Sequence, residues 1–169
     1  EMWMSATEKC GNLLVSQHSF PRRMIEEFAK VDPENTKAMF HYLYDESIAL
    51  ESRITNFIKA SDTLKDKYGK NPDGSVKWNN HFQNLNCIST YLWLMYPDKY
   101  YIYKVTEMRK AANVLESDFV PKNGQDAKML IEGYAFFDTL RESLKADSSL
   151  RELLDSRLSD DCYSDPEMV

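Results

Sequence analysis

The sequence predicts an all-α fold, a single multi-helix domain of about seven to nine helices, and three observations carry that prediction. Apolar residues recur at helical spacing in segment after segment, as in Met39, Phe40, Leu43 and Tyr44. Prolines stand where helices begin or stop: Pro21 and Pro33 just inside candidate starts, Pro97 directly after an apolar run. Only 5 glycines and 6 prolines serve 169 residues, too little turn chemistry for a many-stranded sandwich. A chain near this length hides roughly 68–70% of its unfolded surface and needs no staples to hold a core.

An opening helix-like stretch runs from Met2, Trp3 and Met4 to Leu13, Leu14 and Val15. "SFPRRMIEEFAK" restarts the pattern, with Ser19 as the expected N-cap, Pro21 in the first turn, and Met24, Ile25 and Phe28 on one face. "DPENTKAMFHYLY" repeats the device, with Asp32 as cap and Pro33 at the first helical position. From Ser47 to Tyr68 the residues Ile48, Leu50, Ile54, Phe57, Ile58 and Leu64 mark the longest amphipathic helix. "YGKNPDGSVKW" (68–78) then reads as a loop, and its Asp-Gly pair allows a short β-hairpin near 69–78.

"HFQNLNCISTYLWLMY" (81–96) is apolar around its circumference in the second half, as a buried central helix should be. Pro97 ends it, since the residue before proline is pushed out of the α region. "KVTEMRKAANVLESDF" (104–119) is amphipathic, with Thr106 as cap and Val105, Met108, Ala112 and Leu115 inward. "VPKNGQD" breaks it. The helix over 127–146 aligns Leu130, Tyr134, Phe137, Leu140/Arg141 and Leu144 on one stripe, and Asp147 or Ser148 caps a last helix through Leu158. "YYIYKV" (100–105) would also suit a strand by composition.

The formal net charge is −6, which opposes non-specific nucleic-acid binding by the surface as a whole and confines any such contact to a local basic patch. From Glu142 onward there are three basic residues against eight acidic ones, the signature of a solvated boundary or linker. Cys10, Cys87 and Cys162 are far apart and form no CxxC pair, so they read as reduced thiols of a cytoplasmic protein. No apolar run approaches the ~18 residues of a membrane span.

Catalytic signatures fail on inspection. Gly69 and Gly74 have the GxxxxG spacing of a phosphate-binding loop, but Ser75 and Val76 stand where lysine and a hydroxyl residue are needed. His18, His41 and His81 form no HxxxH or HxH pair and are expected to be exposed or cap-forming. No GxSxG elbow is present. The carboxylates of 45–51 and 160–161 read as solvated surface, because Glu46 and Glu51 do not share a helix face. The chain is therefore expected to hold no catalytic residue, metal or cofactor of its own.

One stretch stands apart. "YLWLMYPDKYYIYK" (91–104) holds five of the ten tyrosines around a single proline. Before Pro97, Leu92, Trp93 and Met95 are expected in the core, with Ile102 joining them after it. After Pro97, Lys99 and Lys104 flank Tyr100, Tyr101 and Tyr103, with Arg109 and Lys110 a little further on. Bases stack on aromatic faces while neighbouring cations neutralise phosphate. The same residues equally suit a turn clamped into a helical core by its hydroxyls.

"ISTYLWLMYPDKYYIYK", with "VLESDFVPKNG" downstream, resembles the N-terminal region of McrB-like AAA+ proteins, the NTP-driven subunits of modification-dependent (type IV, 5-methylcytosine-specific) restriction systems. The segment "YP-x-KYY-x-Y" lies in a helical module placed before the motor in such proteins, and "GNLL…FPRRMI" and "DDCYSDPE" also look like that module. The resemblance implies a helical N-terminal module over 1–158 and an acidic linker over 159–169 toward a motor domain outside this chain. It further implies an AAA+ GTPase or ATPase as the full-length protein, with target recognition or assembly contributed by this module.

Its implied partners are modified DNA, a nuclease subunit and other copies of itself, with no membrane. The residues expected to contact DNA or a partner are Lys99, Tyr100, Tyr101, Tyr103, Lys104, Arg109 and Lys110, cations on phosphate and tyrosines stacking. The alternative is a protein-interaction or sensor module of a defence system that does not bind DNA. A third reading, an enzyme with a site scattered through the fold, has no motif behind it.

Overall fold

The structure, a computed structural model, describes residues 2–15 and 19–162. His18 and the last part of the expected linker lie outside the described residues. Among the described residues there are nine α-helices and no strand, so the fold is all-α. They are α1 (Met2–Ala6), α2 (Gly11–Leu14), α3 (Pro21–Val31), α4 (Pro33–Tyr44), α5 (Leu50–Tyr68), α6 (Leu85–Met95), α7 (Val105–Val114), α8 (Ala127–Ala146) and α9 (Ser148–Asp155). None of them is long and apolar enough to cross a membrane.

The two proline-led starts behave as the sequence implies. Asp32 caps α4, its Oδ1 accepting the Asn35 N–H at 3.2 Å, and Pro33 fills the first helical position. The Tyr68 hydroxyl donates to the same carboxylate at 2.8 Å, so one side chain starts α4 and ties down the end of α5. At α3 the cap differs from expectation. Phe20, not Ser19, precedes the helix and supplies no side-chain bond, leaving Pro21 to set the start by its fixed φ.

The core forms where α5 and α6 meet the other helices. Phe28 of α3, Leu43 of α4, Ile54 and Phe57 of α5, Ile88 and Leu92 of α6, Met108 of α7 and Leu130 of α8 are fully buried. Each contributes about 1.5–3 kcal/mol relative to an exposed side chain. Trp3 anchors the N-terminal turns by donating from Nε1 to the Arg22 carbonyl at 3.0 Å, and Arg22 answers with bonds to Thr7 and Met4. As expected, α6 is the buried central helix, closed in from Leu85 to Leu92 apart from Asn86 and stopped before Pro97.

Other expectations need correction. α5 begins at Leu50 because Asp45 draws the Ser47 N–H and hydroxyl into a local turn, which holds the chain out of the helix for one more loop. The hairpin near 69–78 reduces to a single antiparallel bridge, Lys70 to Val76, closed over Gly74 at φ 84°. α7 starts a residue before Thr106, with Lys104 in the cap position, and it stops at Val114, so Leu115 lies outside it and faces solvent. The tyrosine-rich segment from Tyr100 to Lys104 forms neither helix nor strand.

Candidate functional site

The structure separates the seven residues expected to form a contact surface. Lys99 pairs with Glu46 in the loop between α4 and α5. Lys104 is half-buried and lines a polar recess with Asn12, Ser19, Asn84 and Asn86. Arg109, exposed on α7, reaches the Pro121 carbonyl at 3.3 Å, and Lys110 is exposed beside it. These cations thus have three different surroundings.

The three tyrosines face inward. Tyr103 is 1% exposed, its backbone N–H bonded to Ser89 Oγ at 2.8 Å and its hydroxyl donating to the Lys122 carbonyl at 2.9 Å. Tyr101 is 8% exposed and donates to Asp138 of α8 at 2.8 Å. The Tyr100 hydroxyl accepts from Arg53 at 2.7 Å and donates to Glu46 at 3.0 Å. Burial pushes all three hydroxyls above the ordinary phenol range. Tyr100 packs on Tyr96 and Tyr134, Tyr101 packs on Tyr134 and Phe137, and the burial of all three rings leaves little face on which a base could stack. They clamp the post-proline segment into the core.

A second group concerns His81, expected to be exposed or cap-forming; it is buried, and its ring accepts a local backbone N–H. Its Nδ1 accepts the Gln83 N–H at 2.9 Å, which assigns the proton to Nε2, and Nε2 lies 3.3 Å from Asp62 Oδ1. Burial is the main cause that lowers its pKa, opposed by the Asp62 charge. Both ring nitrogens are engaged, so the pair lacks the free lone pair that a general base needs. Cys87, nearby in the same polar network, is pushed up to about 12 by burial and is a thiol, not a nucleophile. This cluster binds α5 to the entry of α6. Among the described residues no group of three or more His, Cys, Asp or Glu is arranged to hold a metal ion.

The feature that sequence reasoning missed lies around the outer half of α8. Trp93, Tyr101, Ile102, Phe137, Leu140 and Leu144 line an open apolar groove of about 460 Å³, with Arg141 at its edge. On the other flank of α8, Leu115, Phe119, Phe136 and Leu140 line a second groove of about 520 Å³. Of the lining residues, Leu115 and Leu144 are exposed, at 49% and 42%, and Met95, at the end of α6, is 51% exposed.

Three residues expected in the core therefore lie at the surface: Met95 is exposed, and Trp93 and Ile102 are half-buried walls of the first groove. The cause is geometric. α6 ends at Met95 just as it leaves the bundle, and α8 outruns the elements that cover its first half. An apolar groove open to solvent is a candidate contact site on a folded domain.

Compared with protein families, with characterised proteins and with solved structures, the chain matches none.

Proposed function

We propose that this chain is a non-catalytic helical docking module that serves protein assembly, in line with its resemblance to the N-terminal region of McrB-like restriction NTPases. The observation that carries the reading is the apolar face on the outer half of α8. The occupant it suits is an amphipathic helix, laid with its apolar stripe in the groove and an acidic residue beside that stripe. Arg141 supplies the polar end of the fit. Its Nε is buried and has no acceptor among the described residues, while its NH2 group lies 3.3 Å from Glu142 and 3.6 Å from Asp138.

Selection of helical peptides on the purified chain tests this reading. Bound peptides should share apolar residues at i, i+3 or i+4 and i+7 with a neighbouring acid. Leu144→Asp should weaken them by at least about tenfold, the loss of roughly 1.4 kcal/mol. Peptides without that pattern, or binding indifferent to Leu144→Asp, would count against the groove.

A second reading, DNA target recognition, keeps one observation in its favour. Arg109 and Lys110 stand exposed on α7, and Arg109 leans on the loop that carries exposed Lys122. Under this reading, duplex affinity falls linearly with salt on logarithmic axes, by about 0.9 per phosphate neutralised, and weakens on Lys110→Glu. Binding that is absent from methylated and unmethylated duplexes alike removes it.

A further inference from the structure

We infer that His81 is a proton-operated latch: a proton on its Nδ1 frees the segment 79–84 from α3 and from the loop before α8, while the helices of the core stay folded. This goes beyond the docking reading above and does not depend on it.

The geometry of the ring carries the inference. His81 is 3% exposed, and its Nδ1 accepts the Gln83 N–H at 2.9 Å, a bond that only a neutral ring can make. Protonation sets two N–H donors against each other at that distance and leaves a buried backbone donor without an acceptor. Asp62 Oδ1, 3.3 Å from Nε2, accepts from the ring in either state, so the ring stays and the Gln83 N–H is displaced.

Three elements meet on Gln83, which is fully buried. Its Nε2 donates to the Pro21 carbonyl at the start of α3 at 3.1 Å, and its carbonyl accepts from Gln125 Nε2, in the loop before α8, at 2.8 Å. The residue between His81 and Gln83 is strained. Phe82 has φ 59°, in the left-handed region that an aromatic residue seldom adopts. Such a conformation persists only while its surroundings impose it. Loss of the bond to His81 lets Phe82 return to negative φ, and Gln83 moves with it. The same segment walls a polar recess of about 470 Å³ together with Ser19, Lys65 and Gln125, and the movement opens that recess.

The direction follows from the groups around the ring. Burial is the main cause that holds its pKa below the ordinary histidine value, and Lys65 of α5 acts the same way, while Asp62 and Asp66 of α5 oppose them. Gln83 and Gln125 are the neutral polar groups that face it. Opening brings the ring into water and returns its pKa toward 6.5. The open segment therefore takes up a proton that the closed one refuses, and it gains population as pH falls. One unit below the ordinary value that gain is bounded at about tenfold.

Native-state hydrogen exchange on the full chain at about pH 7.5 and 5.5, corrected for intrinsic exchange rates, tests the latch. The amides of Phe82, Gln83, Asn84 and Leu85 should be less protected than those around Phe57. They should also respond little to urea below the unfolding transition, as a local opening does. Their protection should fall by about three- to tenfold between the two pH values. In His81→Asn, which keeps an acceptor for the Gln83 N–H, that fall should vanish, with circular dichroism confirming unchanged helical content. If these amides share the protection and the urea dependence of α5 at the lower pH, the segment opens only when the whole chain unfolds, and the latch is overturned. Protection that is level with pH, or that falls equally in His81→Asn, overturns it as well.

Discussion

Each tyrosine that the fold buries between Tyr91 and Tyr103 has a partner for its hydroxyl, and that is why phenylalanine would not serve there. Tyr91 donates to Gln83 Oε1 at 2.9 Å, and Gln83 in turn donates to the Pro21 carbonyl at 3.1 Å, so one phenol fixes the entry of α6 against α3. His81 belongs to the same joint, and it makes the joint sensitive to pH. Its pKa is held below the ordinary 6.5 chiefly by burial and by Lys65, against the pull of Asp62 and Asp66. The unfolded chain therefore takes up a proton that the folded chain refuses. Stability is intact above the ordinary histidine range and falls as pH drops through it. His81→Asn keeps an acceptor near the Nδ1 position for the Gln83 N–H and removes the titration. Between about pH 7.5 and 5.5, the urea midpoint of the wild type should fall while that of His81→Asn stays nearly level. Equal declines in both proteins would assign the effect to other groups.

At the scale of the element, α8 shows how packing reverses a local preference. Gly133 lies in its interior, where Ala is better by about 0.8–1 kcal/mol in an isolated helix. A Cβ there would fall 2.9 Å from the Tyr103 ring and 2.9 Å from Met108 Cε. Met108 can swing away, but Tyr103 is held by Ser89 at its backbone and by Lys122 at its hydroxyl. Overpacking of a fixed ring costs about 1–3 kcal/mol and outweighs the helix gain. Gly133→Ala should thus lower the free energy of unfolding by about 1 kcal/mol in denaturant titration; a more stable variant would show that Tyr103 moves aside. The same helix marks the limit of what was legible in the sequence. Periodicity grouped Leu130, Tyr134, Phe137, Leu140/Arg141 and Leu144 on one face, and the last four line one groove. It could not say that the bundle covers Leu130 and Tyr134 and leaves Leu144 42% exposed, because spacing states which residues share a face, not which element lies on it. Trp93, Met95 and Ile102 were misplaced for the same reason. The tyrosines of 100–103 were ambiguous because composition records neither Ser89 nor Asp138 as a partner.

For the molecule as a whole, the distribution of burial predicts a gradient of local stability. The fully buried side chains concentrate on α5 and α6 and on the faces of α3, α4, α7 and α8 turned toward them. α9 contributes none and packs chiefly on α8, with Leu153 in solvent. Amides open locally with free energies that track such contacts, from near zero at uncovered ends up to the global value in the core. Hydrogen exchange should accordingly find the slowest amides in the central turns of α5 and α6, around Phe57 and Ile88, and the fastest helical amides in α9. Concentration separates intrinsic order from cover by a neighbour. If a second copy lies on α9, its protection rises with protein concentration, and the groove residues of α8 from Phe137 to Leu144 slow in step. The amides of α5, which open by global unfolding, slow as well, because pairing stabilises the folded state as a whole. An α9 as protected as α5 in dilute solution would mean that the helix is held by its own chain, and the outer half of α8 would then be the end of the core and not a dock.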